Sequence, residues 1–254
     1  IPEGVTEIQS YAFANLQGLK EVVLPSTLTK IGTYAFYNCK NLVNINLENV
    51  KFINEGAFEN CGLTDLNFRV LNAIGNNSFK NNNLIDVTLP ESSQSLGIGA
   101  FSANKKLQSV TFKADKIKIG SGVFTNCPNL TSIKINAAVI AARAFEDCKA
   151  LTNVTLGKDV AVIGEYAFAG TNVSKFTVEE GCAYKAENGG AVLTKNNELA
   201  LVAPKATFAN NKFENATITS IANGAFSGKT NIKSIVAPNV TKVGAYAFAG
   251  CSVL

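Results

Sequence analysis

Apolar residues return along this chain in a fixed order. A spaced set such as Leu42, Ile45 and Leu47 is followed by an isoleucine, often with a glycine after it, and then by a phenylalanine. The phenylalanines fall at Phe13, Phe36, Phe58, Phe79, Phe101, Phe124, Phe145 and Phe168, then at Phe226 and Phe248. Their spacings are 23, 22, 21, 22, 23, 21 and 23 residues, then 58, then 22. Self-similarity at such a period marks stacked repeats. Within each unit, sets such as Leu84, Val87, Leu89 and Leu130, Ile133, Ile135 end in period-two alternation. That alternation predicts one strand per unit with one buried face.

Pro25, Pro90 and Pro238 close such strands, a place proline tolerates better than the strand's middle. Gly32, Gly56, Gly75, Gly99, Gly120, Gly164 and Gly244 sit near the bend before the phenylalanine, where tight turns need them. One unit is then a strand, a turn and an irregular return segment, unable to bury its apolar side alone. The pattern predicts a mainly β solenoid of about ten units of 21–23 residues, with the phenylalanines forming one column along its core. The period lies within the roughly 20 to 29 residues of leucine-rich repeats.

The jump of 58 residues is the one break in rhythm. Inside it, "GGAVLT" and "ELALVA", joined by "KNN", predict a β-hairpin. The expected organisation is a single solenoid domain over 1–254 with a hairpin-containing insertion at 179–217. Such an insertion serves either as a binding loop or as a structural variant of the repeat, and both readings stay open. The chain starts and stops inside the repeated phrase and contains no methionine, so a longer parent protein is expected.

With these residues in view, the chain resembles the BspA-like family of leucine-rich repeat proteins, whose units read roughly L-x-x-I-x-L-P and then I-G-x-x-A-F-x-x-C. "LKEVVLPSTLTKIGTYAFYNCKNL", residues 19 to 42, matches almost throughout, and the likeness covers essentially the whole chain. The resemblance implies export to the bacterial cell surface and, in some members, adhesion to host matrix proteins. Fold transfers well within so broad a family, and ligand transfers poorly.

Composition narrows the chemistry. The chain is 46% hydrophobic and 17% charged, which suits a folded protein rather than a disordered one. No apolar run approaches the roughly 20 residues of a membrane-spanning helix. The formal charge is only +4, and the loose cluster Lys105, Lys106, Lys113, Lys116 and Lys118 carries no interleaved aromatics. It reads as a solvated face, not as a nucleic-acid footprint.

There is no histidine, which removes Ser-His-Asp and Cys-His nucleophilic machinery and histidine-ligated zinc. Cys39, Cys61, Cys127, Cys148 and Cys251 each lie three residues after a repeat phenylalanine, where other units hold Leu16, Asn82, Asn104, Thr171 or Lys229. That alternation reads as a structural slot filled by a small buried hydrophobe. Bridges between neighbouring units are the lesser alternative, and Cys182, outside the register, is the expected reactive thiol. Carboxylates such as Asp65, Asp86, Glu179 and Glu180 are scattered over the repeat surface rather than gathered for glycosidase chemistry. No catalytic residue, metal ligand or cofactor is expected.

A partner would touch the strand residues that face outward. The candidates are Asn44, Asn46, Asp65, Asn67, Asp86, Thr88, Thr111, Lys134, Thr155 and Thr177. In the insertion, Tyr184, Lys185, Asn196 and Asn197 are the expected exposed contacts. The resulting expectation is a non-enzymatic binding module of an exported surface protein, engaging a host protein or glycan. The alternative is a stiff spacer that presents another domain of the parent chain. The ligand and the oligomeric state stay open.

Overall fold

The computed structural model describes residues 1–254, and the expected solenoid is what it shows. Two parallel ladders run along it. The longer one joins eight two-residue strands, from Glu7–Ile8 through Lys30–Ile31, Phe52–Ile53, Ala73–Ile74, Ser95–Leu96, Lys118–Ile119 and Val139–Ile140 to Val162–Ile163. In nearly every strand the second residue is buried and the first faces out. This ladder occupies the stretch read from sequence as a bend and return, so the expectation of one strand per unit is corrected to two. The glycine after several of these strands explains the close approach. A Cβ on Gly32 would lie 2.6 Å from the Ile8 carbonyl oxygen, and one on Gly120 would lie 2.7 Å from that of Leu96.

The repeated phrase follows each short strand as a ribbon of turns. The residues two before and two after each phenylalanine hold left-handed backbone: Tyr34 (φ 54°) and Asn38 (φ 59°) flank Phe36. Alternate amides then point to the next unit. Tyr34, Phe36 and Asn38 donate to the carbonyls of Glu55, Ala57 and Glu59, each at 2.8 Å. The phenylalanine rings stack inside this ribbon.

The second ladder is the predicted one, and it comes in pieces. Glu21–Val22 pairs with Asn44–Ile45, Asp86–Leu89 with Ser109–Phe112, and Lys212–Glu214 with Ser234–Val236. Ser132–Ile135, Asn153–Leu156 and Lys175–Val178 form a three-stranded piece. Residues 62–68 form no strand. Asparagine amides substitute for backbone bonds around that break. Asn46 accepts from the Leu24 amide at 2.7 Å and donates to its carbonyl at 3.0 Å, and Asn67 accepts from Leu47 at 2.8 Å.

The core is one cluster of 65 buried apolar residues. Its phenylalanine column is in two parts, not one. Phe13 to Phe168 stack with ring centroids 5.1 to 5.6 Å apart, and Phe226 stacks on Phe248 at 5.2 Å. Between the parts, Phe176 meets Phe168 edge-on and Phe213 meets Phe226 likewise.

The interruption is where Val192–Lys195 turns back on Glu198–Val202 as an antiparallel hairpin, through Asn196 and Asn197 in left-handed backbone. Lys185–Glu187 pairs with the first of these strands, and Glu198–Leu199 with Ser220–Ile221. Val162–Ile163 pairs with none of them, so the long ladder ends there.

Candidate functional site

Strand register assembles the outward face into columns. Asp86 sits beside Ser109 and Thr88 beside Thr111. Ser132, Asn153 and Lys175 form a row, and Lys134, Thr155 and Thr177 another. Asn44, Asp65, Asn67, Asp86, Thr88, Thr111, Lys134 and Thr177 are exposed, while Asn46 and Thr155 are half-buried. Asn44, Asn46, Asp65 and Asn67 come together with Glu21 around a shallow groove of about 460 Å³. Asn46 and Asn67 enter it already committed, since their amides hold Leu24 and Leu47. The face can therefore offer Asn44, Asp65 and the threonines to a partner more freely than those two.

The hairpin residues separate. Lys185, Asn196 and Asn197 are exposed, but Tyr184 is 6% exposed, which corrects its expected exposure. The reason is the broken ladder. Ile163, at its open edge, donates its amide to the Tyr184 hydroxyl at 3.0 Å, and Lys195 Nζ donates to the Ala161 carbonyl at 2.5 Å. Two side chains thus take the place of the next strand. Lys195 also lies 5.4 Å from the centre of the Tyr184 ring. Burial pushes the Tyr184 hydroxyl pKa upward, which keeps it a neutral acceptor.

A cleft of about 690 Å³ opens at this break, lined among others by Glu165, Tyr184, Lys195, Asn196, Glu198 and Lys242. Asn223 donates to Glu165 across it at 2.8 Å, tying together residues 58 apart in sequence. Sequence reading missed Lys195, because inside the insertion the repeat offers no register, and it missed Glu165 and Asn223, because they lie in repeat phrases that meet only across the interruption.

The cysteine position has a polar role beyond filling space. Cys39, Cys61, Cys127, Cys148 and Cys251 place Sγ 3.0 to 3.3 Å from the carbonyl oxygen of the preceding repeat phenylalanine. Asn82 and Asn104 donate their amides to the same kind of carbonyl at 2.8 and 2.9 Å. Lys229, in the same slot, is 2% exposed and donates to the carbonyls of Ala203, Pro204 and Ala206. Burial, with Lys205 nearby, lowers its pKa to about 8. All six cysteines are free. Burial pushes the thiols of Cys61 and Cys148 up to about 12, so neither supplies a thiolate nucleophile at neutral pH.

No three His, Cys, Asp or Glu side chains gather as a metal-holding group, and no helix is long and apolar enough to cross a membrane. What the arrangement offers is a polar, repetitive strand surface and, separately, a mixed-charge cleft at the break in the long ladder.

The family described as BspA type leucine rich repeat region matches six copies, over residues 1–82, 72–188 and 203–254. Among solved structures, a leucine-rich repeat protein from Bacteroides ovatus is similar at 21% identity and a TM-score of 0.58, covering 100% of this chain and 70% of that one. The pneumococcal vaccine antigen PcpA is similar at 23% identity and a TM-score of 0.53, covering 97% of this chain and 54% of that one. The chain thus spans about half the length of that antigen's structure. Identities this low carry the fold alone. A comparison with curated proteins finds no match.

Proposed function

From a chain that belongs to the BspA type leucine-rich repeat family, we propose a non-enzymatic binding module that acts outside the cell, on a bacterial surface. It engages a host protein or glycan through the outward strand face, with the hairpin insertion as a flanking contact. The observation that carries this reading is the strand register. It sets exposed Thr88, Thr111 and Thr177, whose side chains make no hydrogen bond within the chain, into rows with exposed Asp86 and Lys134. Few aromatic or arginine anchors project there, so single contacts are weak and many copies on one surface supply avidity.

The spacer reading is supported by a different feature, the unbroken stack from Phe13 to Phe168 beneath an eight-stranded ladder. Binding of the folded chain to an array of extracellular-matrix proteins and glycans, at physiological salt, separates the two. A saturable hit supports the binding module. A folded protein that binds nothing on the array favours the spacer.

A further inference from the structure

We propose that the outward strand face also pairs with a second copy of this chain, the two solenoids running antiparallel. The proposal rests on the reading of this face as a contact surface and names one partner for it. Charge along the face is segregated. Glu21, Glu48, Asp65 and Asp86 are exposed in its first four layers, and Lys113, Lys134 and Lys175 in the next four. Arg69 and Glu179 are the exceptions, and Glu179 is already paired with Lys134 at 2.6 Å. The other seven charges make no ion pair within the chain. A single copy therefore carries an acidic end and a basic end on one surface, neutralised on the same face only in part, by Arg69 and by Glu179.

A two-fold axis along the strand direction, between Asp86–Leu89 and Ser109–Phe112, reverses the order of layers and keeps each column facing itself. It sets Glu21 opposite Lys175, Asn44 opposite Asn153, Asp65 opposite Ser132 and Asp86 opposite Ser109. In that column Glu21 meets a cation, Asp65 meets a hydroxyl donor and the two asparagines meet each other, while the Ser109 hydroxyl opposite Asp86 already donates to Asp86 of its own chain at 2.5 Å. Sliding by one layer in one direction sets Asp86 against its own copy. Sliding the other way leaves Glu21 unmatched and sets Lys175 against Asn44. The contact is isologous: if Glu21 meets Lys175, then Lys175 meets Glu21. Eight layers about 4.8 Å apart make a strip of roughly 40 Å, three residues wide. That is at the lower end of specific interfaces, so the dimer is weak, reversible and salt-sensitive.

Sedimentation equilibrium of the whole chain tests this, at about 20 mM and about 300 mM salt. The proteins compared are wild type, Glu21→Lys, Lys175→Glu, and an equimolar mixture of the two variants. Wild type should show a dimer fraction that rises with concentration at low salt and falls at high salt. Each variant alone should be monomeric, because antiparallel pairing then sets like charges together twice. Their mixture should regain wild-type association, since the introduced lysine meets the introduced glutamate while the second contact stays native. A local distortion of one copy would not be rescued by mixing. Wild type that stays monomeric at low salt and about 200 µM, or a mixture no better than its components, would overturn the proposal. Because no external ligand is involved, these outcomes leave the array result independent, and the reverse holds too.

Discussion

Cys61 donates its thiol to the carbonyl oxygen of Phe36, 3.0 Å away in the preceding unit. The same relationship recurs wherever the repeat carries cysteine, and asparagine reproduces it at Asn82 and Asn104. In most units the slot holds a side-chain donor, which is why residues as different in polarity as cysteine and asparagine alternate there. Where it holds one of these two, it fastens the preceding phenylalanine's backbone to the next layer.

The strength of the donor should decide the cost of removing it. Cys127→Val keeps the volume and loses a weak S–H donor, so about 1 kcal/mol is expected. Asn82→Leu loses the bond to Phe58 and also the acceptor of the Leu63 amide, so about 2–4 kcal/mol is expected. Urea titration of both variants checks the order. Equal costs would mean that the slot is filled for volume alone.

Two kinds of small residue should respond oppositely to substitution. Gly120→Ala drives a Cβ into the backbone of the preceding unit and should cost at least about 1–3 kcal/mol. Ala103 holds φ 60° at a place where other units carry Asn60, Asn126 or Gly170. Ala103→Gly relieves left-handed strain and should stabilise by about 0.5–1 kcal/mol after the entropy of glycine is subtracted. Thermal unfolding of the pair reads both signs, and a destabilising Ala103→Gly would refute the account of the turns.

Lys229 gives a pH dependence. Its folded pKa is about 8 against an ordinary 10.5, so between these values the unfolded chain binds more protons than the folded one. Stability from this group must therefore rise with pH across that window, by up to roughly 1.4 kcal/mol per unit, and stay flat below it. The cysteines oppose this at high pH, because thiols whose folded pKa is raised lose stability as pH rises above about 9. The measurement is thus the difference between wild type and Lys229→Asn from pH 7 to pH 10. That difference should grow above pH 8, and a constant one contradicts the assignment.

The ladder break should show in amide exchange. Phe145 and Asp147 donate to Ala167 and Ala169 at 2.8 Å, whereas the equivalent amides of Phe168 and Gly170 meet no protein acceptor. Phe168 and Gly170 should exchange faster than Phe145 and Asp147 under native conditions. Equal protection at all four would mean that the two parts of the solenoid join without a break in the ladder.

Phenylalanine spacing and alternating strands were legible because each buries one face at a fixed period. The short ladder was not, since two-residue strands such as Lys30–Ile31 fall below any pattern of alternation and are held by neighbours a full unit away. The donor slot was legible as a position but not as chemistry, because cysteine looks apolar until its carbonyl partner is placed. Asn46 and Asn67 looked like free surface groups for the same reason. Tyr184 looked exposed because nothing in its own segment announces the open edge at Ile163 that buries it.

We propose that the repeated phrase builds the molecule while the strand face makes its contacts. One paired measurement tests this most directly: melting temperature and binding to the matrix and glycan array, for Phe101→Leu and for Thr88→Arg combined with Thr111→Glu. Phe101 is fully buried, and both threonines are exposed. Phe101→Leu should melt lower, by about 1 kcal/mol or more of lost stability, and bind as wild type does while folded. The threonine variant should melt with wild type and lose binding. A threonine variant that keeps full binding would contradict the central claim and move the contact surface off the strand face.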